Sequence, residues 1–579
     1  MRDGVKLFTS IYTPKDKSEK HPMMMLRTPY NSEPRGEKAY NFFLSILSQY
    51  TDENYIMVFQ DVRGRFMSEG EYVNVRPYNP DKKKKEVDDN SDTYDAIDWL
   101  VKNVDNNNGR IGIQGVSYPG FYATMSLMEA HPALKAVSPQ APIGDWFIGD
   151  DFHHNGAFFL MDCFNFFYGF GHEFEQPSRQ GFPGVDYTSQ DNYQFFLDLG
   201  PIKDITAEYY SDIKFWNDAM NHTNYDDFWK ARTPLPHLKD IEPAVLTVGG
   251  WFDAEDLYGP LYTYRAIEKQ SPKNDANRIM MGPWSQGQWA FGNGDKMGNV
   301  HWGSNSSEYG REVIFNFFNY YLKDEGQMEL PEATIFNTGI NEWKEFETWP
   351  PKNVEEVSLF MQESGGLAFS APTSTDNFVE VVSDPMKPVP YTEDVHLART
   401  TSYMTDDQRF ASRRPDVMVF QTGDLQEDLT FTGPVIADLF VSTTGTDADY
   451  VVKLIDVFPD TLDNYPENDK NVPMQGYQML VRGDVMRGKF RNSFGDPEPF
   501  VPKEITKVNF TIPDVAHTFK KGHRIMVQVQ HSWFPLVDRN PQKFTDIYKC
   551  DESDFQKATQ RIYFDKEHPS RIMLYKLAE

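Results

Sequence analysis

The chain has 579 residues, 39% of them hydrophobic and 15% aromatic, and a formal net charge of −29. It is too long for a single core, and so acidic a chain argues against nucleic acid or an anionic membrane as partner, since both call for basic patches. No apolar run approaches the ~20 residues that span a bilayer, and Cys163 and Cys550 provide neither a metal spacing nor a disulfide framework.

The chain opens inside what reads as a strand, Met1 to Leu7. We therefore expect that a leading segment has been removed, and a periplasmic or secreted location. Strands are predicted at Met23 to Arg27, Tyr55 to Asp61, Arg110 to Gln114 and Ala136 to Ser138, short and apolar as buried parallel strands are. A helix is predicted over Asp92 to Lys102, with acids in its first turn. Lys82 to Lys85 lie among Asp81, Glu86, Asp88 and Asp89, which reads as a solvated loop.

The strand at 110–114 runs into Gly115-Val116-Ser117-Tyr118-Pro119-Gly120, and a helix is predicted from Phe121 to Ala130. Strand, Gly-x-Ser and helix make a nucleophile elbow, in which a strained turn exposes a serine hydroxyl. The second glycine comes one position late, because Pro119 holds its usual place.

Residues 145–235 are rich in Phe, Trp and Tyr without strand alternation, and predict a helical cap. Strands return at Ala244 to Gly249 and Arg278 to Met281, with a helix near Arg311 to Leu322. After Trp349-Pro350-Pro351, β-branched runs recur between turns, as at Val435 to Ser442, Asp449 to Val457 and Arg524 to Gln530. The fold class expected is α/β: an α/β-hydrolase domain (1–144 and 236–345) split by the cap (145–235), then a jelly-roll β-sandwich (346–579).

An elbow serine needs a base and an acid, in chain order Ser, Asp or Glu, His. Asp253 follows the strand at 244–249, at the strand end where open α/β sheets keep their sites. Its alternative is to cap the helix that follows.

Several stretches together resemble the cocaine-esterase and X-prolyl dipeptidyl peptidase-like hydrolases. They include Met1 to Leu7, Arg27-Thr28-Pro29-Tyr30, Asp61-Val62-Arg63-Gly64-Arg65, the elbow, Gly149-Asp150-Asp151, Trp251 to Tyr258, Gly282-Pro283-Trp284 and Ser532 to Pro541. Within that group the likeness is strongest to the α-amino acid ester hydrolases and glutaryl-cephalosporanate acylase homologues. The resemblance implies Ser117 as nucleophile, Asp253 as triad acid, and an oxyanion hole made by the Tyr118 backbone N–H and the Tyr30 hydroxyl. It also implies that Asp151, Glu255 and Asp256 bind a substrate α-ammonium group.

One position departs. The resemblance places the histidine base two residues past Gly-Pro-Trp, where this chain has Gln286. Glutamine does not accept a proton from serine at neutral pH. His301, downstream, is a weak alternative as base, and His153 and His154, near Asp151, read as lining the site rather than as a base. The expected function is a serine hydrolase or acyltransferase for α-amino acid esters or β-lactam acyl amides, acting through an acyl-enzyme on Ser117 and impaired by Gln286. The alternatives are a pseudo-hydrolase that only binds, or an X-prolyl dipeptidyl peptidase or aromatic esterase. A small-molecule substrate is expected, with no cofactor, metal, nucleic acid or membrane; self-association is left open.

Overall fold

In the computed structural model, which describes residues 1–34, 40–469 and 471–578, one nine-stranded sheet organises the first part of the chain. Its strands are β1 (Thr9–Tyr12), β2 (His21–Thr28), β3 (Ile56–Asp61), β4 (Asn107–Ser117) and β5 (Leu134–Pro142). A hairpin of β6 (His153–His154) and β7 (Ala157–Phe158) intervenes before β8 (Ala244–Gly250) and β9 (Asn277–Gly282) rejoin the sheet. A second hairpin, β10 (Lys296–Met297) with β11 (Val300–His301), precedes β12 (Ala333–Asn337) and β13 (Glu342–Phe346). The spatial order is β1-β3-β2-β4-β5-β8-β9-β12-β13, parallel throughout except for the two antiparallel edges, β1 and β13.

Both faces of this sheet are covered. Met23 and Met25 of β2 point into one core with Ile97 and Phe121, while Met24 and Leu26 point into the other with Phe317 and Phe318. The covering helices are α1 (Phe42–Ile46), α2 (Ser48–Asp52), α3 (Asp89–Asn103) and α4 (Tyr118–Met125). From 160 to 230 the chain is mainly helical, in α5 (Leu160–Phe170), α6 (Asn192–Leu199), α7 (Ile202–Tyr209), α8 (Lys214–Asn221) and α9 (Asp227–Lys230). α10 (Tyr258–Gln270), α11 (Gln288–Phe291) and α12 (Ser306–Lys323) complete the set.

Three elements differ from expectation, each for a reason visible in its hydrogen bonds. Met1 to Leu7 is not a strand: Gly4 N–H bonds the Met1 carbonyl at 2.9 Å in a turn, and β1 starts at Thr9. α3 starts three residues early because the Asp88 carboxylate and the Ser91 hydroxyl cap each other's backbone N–H. α4 stops at Met125, whose carbonyl accepts a hydrogen bond from Asn90 Nδ2 at 3.1 Å instead of continuing the helix to Ala130. Both cysteines are free and buried.

The last part of the chain is a β domain of a seven-stranded and a four-stranded sheet. Val435, Ala437, Leu439 and Val441 are buried at every second position of the strand Leu429–Thr443, as one inward face requires. Among the described residues no helix is long and apolar enough to cross a membrane.

Candidate active site

The chain leaves β2 toward β3 on one side and returns to β4 on the other, so the strand order reverses between β2 and β4. Such a reversal opens a crevice at the strands' C-terminal ends. Tyr30 follows β2 and Ser117 ends β4, one on each side of it. The loops after β5, β8 and β9 bring Asp151, then Asp253, Glu255 and Asp256, then Gln286 to the same edge.

Ser117 has φ 64° and ψ −125°, a strained conformation for a residue with a side chain. Two glycines make the turn feasible. A Cβ on Gly115 would lie 2.5 Å from the Pro119 side chain, and one on Gly120 would lie 2.5 Å from the Gln140 carbonyl oxygen. Pro119 packs against Gly115, so the close crossing of β5 falls one residue later, which accounts for the displaced second glycine. α4 begins at Tyr118, and its unpaired N-terminal N–H groups favour negative charge at this point. The Tyr118 side chain belongs to the core: its hydroxyl donates to Asn74 Oδ1 at 3.1 Å and accepts from Val75 N–H at 2.8 Å.

The loops after β8 and β9 are joined by backbone hydrogen bonds, Trp251 N–H to the Gly282 carbonyl at 2.8 Å and Phe252 N–H to the Trp284 carbonyl at 2.9 Å. Asp253 and Gln286 are therefore held in a common frame. Asp253 does not cap a helix, since α10 starts after Leu257. Its Oδ1 accepts from the N–H groups of Glu255 at 2.9 Å and Asp256 at 3.1 Å, which folds both acids back toward it. Its Oδ2 is buried without a partner. Gln286 Nε2 instead donates to Asp256 Oδ2 at 3.0 Å, and Gln286 Oε1 is buried and unpaired.

The three acids expected to bind an amine do come together. Asp151 N–H donates to the Glu255 carbonyl at 2.9 Å, its carboxylate accepts from Trp146 Nε1 at 2.9 Å, and Asp256 lies within hydrogen-bonding reach of it. Burial, then the negative charge of Glu255, pushes Asp151 and Asp253 each up to about 7. Burial and the surrounding Asp151 and Asp150 raise Asp256 well above the ordinary range, and burial raises Glu255. Asp150 has a separate structural task, accepting from the N–H groups of Gly144, Asp145 and Gly259.

Sequence reasoning missed the cation beside these acids. Arg399, on a loop before the turn Ser402–Thr405, grips Asp162 through Nε at 2.7 and 2.8 Å and reaches Glu255 with Nη2. It is a lone arginine far along the chain with no motif around it. Its only trace is physical: so many buried acids call for some cation.

Two cavities meet at Ser117. One, about 290 Å³, is lined by Trp146, Phe152, Phe166 and Phe167 with Asp151 and Glu255 at its wall. The other, about 310 Å³, is lined by apolar residues and by Gln286. Tyr30, Ser117 and Glu255 border both. Tyr30 is 39% exposed, yet its place in the cleft desolvates the phenol; with Tyr72 and Asp151 nearby, its pKa lies well above 10 and the hydroxyl remains a donor.

No histidine is among the described residues lining either cavity. His301 Nε2 pairs with Asn468 at 2.8 Å. His153 is buried between the Trp146 carbonyl and the Tyr548 hydroxyl and pushed down to about 3, chiefly by desolvation. His154 pairs with Asp484 at 2.9 Å.

The family model described as X-Pro dipeptidyl-peptidase (S15 family) matches residues 3–288, and that of the X-Pro dipeptidyl-peptidase C-terminal non-catalytic domain matches residues 325–573. A cocaine esterase of Rhodococcus sp. (strain MB1 Bresler) is 26% identical over 99% of this chain and 96% of its own. An aminopeptidase from the marine sediment archaeon Thaumarchaeota archaeon superposes with a TM-score of 0.92 at 36% identity, covering 100% of this chain and 95% of that one. An α-amino acid ester hydrolase superposes with a TM-score of 0.91 at 35% identity, with the same coverage.

Proposed function

The chain belongs to the X-Pro dipeptidyl-peptidase (S15) family of serine hydrolases, and within it we propose that this protein takes esters or amides of α-amino acids bearing a free amino group. The observation that carries this reading is the set of half-buried carboxylates, Asp151, Asp162 and Glu255, at the wall of a cavity that opens on Ser117. Asp151, Asp253, Glu255 and Asp256 all have raised pKa values, and Arg399 serves Glu255 and Asp162. An ammonium ion entering beside Asp151 relieves that repulsion, so the site selects the free amine. The aromatic walls accept an apolar amino-acid side chain. Two similar structures, an aminopeptidase and an α-amino acid ester hydrolase, support such a substrate.

In this reading Ser117 Oγ attacks the substrate carbonyl, Tyr118 N–H and Tyr30 Oη hold the oxyanion, and the C–O or C–N bond to the leaving group breaks, releasing an alcohol or amine and leaving the acyl-enzyme. Each donor contributes ~3–4 kcal/mol to the transition state. The acyl-enzyme then passes to water, or to an amine such as a β-lactam nucleus. Proton transfer is the weak step, because Gln286 stands where the base belongs. Losing the triad histidine lowers turnover on the order of 10⁶-fold in a well-studied serine protease, so we propose that this chain binds substrate and turns it over very slowly.

Two measurements test the proposal. Calorimetric binding of phenylalanine methyl ester is expected, and N-acetylation of the ester should weaken it at least tenfold; equal affinity for both esters removes the amine site. Gln286→His should then raise hydrolysis of the free-amine ester by ~10³-fold or more. If binding is normal and the substitution restores nothing, the protein is a binding protein on a hydrolase fold.

A further inference from the structure

The cavity on the Gln286 side of Ser117 lacks Asp151, and its residues describe a second specificity. We propose that it is the leaving-group subsite and that it takes a bulky alkyl or aryl group. The inference rests on the aminoacyl reading above.

Position follows from the chemistry of acyl transfer. The base that accepts the serine proton returns it to the departing oxygen or nitrogen, so the leaving group must lie beside the base. Of the two cavities at Ser117, only the one of about 310 Å³ includes residue 286. The other includes Asp151 and so receives the amine end. An acyl group anchored there presents its leaving group to the remaining cavity.

Character follows from the lining. Leu26, Leu47, Val116, Trp289 and Ile314 form the walls. At the mouth Phe291 is 62% exposed. A large aromatic left in water at the rim of an apolar cleft marks a binding surface. Glu255 is paired with Arg399, and Arg311 Nη1 donates to the carbonyls of Trp289 and Gly292, both at 3.0 Å.

The slow turnover proposed for this chain allows affinity to be read directly. Calorimetry would compare the N-methyl, N-propyl, N-butyl and N-benzyl amides of phenylalanine, each also as its N-acetyl derivative. Affinity should rise about two- to fourfold per added methylene, the gain from burying that apolar area. Phe291→Ser, at an exposed position, should flatten the series, and so should Ile46→Ser on the same cleft. A flat series for the free amines, with N-acetylation still weakening binding, overturns the subsite and leaves the amine site standing. A rising series that N-acetylation does not affect upholds the subsite and overturns the amine reading.

Discussion

Asp253 Oδ2 is a buried carboxylate oxygen facing no donor, an arrangement that proteins rarely keep without reason. Its other oxygen is engaged by two backbone N–H groups, so the carboxylate is fixed and cannot turn to find one. In the proposed triad Oδ2 would accept a ring N–H from residue 286, which is the basis for expecting Gln286→His to raise hydrolysis. The site should also be sensitive to pH. Asp151 and Asp253 sit near 7 when folded against 3.8 ordinarily. Raised carboxyl pKa values stabilise the fold fully below about pH 4, and that contribution is lost as pH rises through about 7. Thermal unfolding of the free protein should therefore show falling stability across this window, and an amino-acid amide should restore more of it at pH 7.5 than at pH 5. A ligand effect that does not change with pH would separate these acids from amine binding. Arg399 offers a further test. Arg399→Met strands Asp162 and Glu255 and should cost about 3 kcal/mol of stability. It should also shift the midpoint of amine binding to higher pH, because Glu255 loses the charge that holds its pKa down. Arg399→Lys should recover part of the midpoint but not the simultaneous hold on Asp162 through Nε and on Glu255 through Nη2.

At the level of elements, the site depends on five parallel strands ending at one edge, and on α4 crossing β4 closely enough to expose Ser117. Gly120→Ala places a methyl group 2.5 Å from the Gln140 carbonyl, which must push α4 off the sheet. A loss of ~1–3 kcal/mol in denaturant unfolding is expected, together with lower activity in the Gln286→His background. An unchanged unfolding midpoint would mean that the turn is looser than it looks. These strands were readable in the sequence because both their faces are buried, which leaves short apolar runs between polar turns. The end of α4 was not readable, since it depends on Asn90, 35 residues before Met125. The hairpin β6–β7 was missed as well: two residues per strand are too few for alternation to show. The elbow and the acids after β8 were legible only as motifs. Nothing local in the sequence reveals that the loops carrying Asp253 and Gln286 are tied by backbone hydrogen bonds.

Across the whole molecule, the β domain does more than lie beside the sheet. Arg482 donates to the carbonyl of Trp251, two residues before Asp253, and Arg399 reaches the acids from the front. α6 is fastened to the segment before Arg399 by Asn192 N–H to the His396 carbonyl and Tyr193 Oη to the Pro388 carbonyl, both at 2.9 Å. The sheet and helices thus line the place where Ser117 sits, and the β domain holds the acidic loop beside it. The meeting of two cavities at that serine has a stereochemical consequence. An α-carbon whose ammonium group lies against Asp151, whose side chain fills the aromatic cavity and whose carbonyl faces Ser117 is held at three points. Its fourth substituent can only be hydrogen, and the mirror-image substrate cannot satisfy all three contacts together. The protein should therefore tell one enantiomer of an amino-acid amide from the other, which titration with each separately will show.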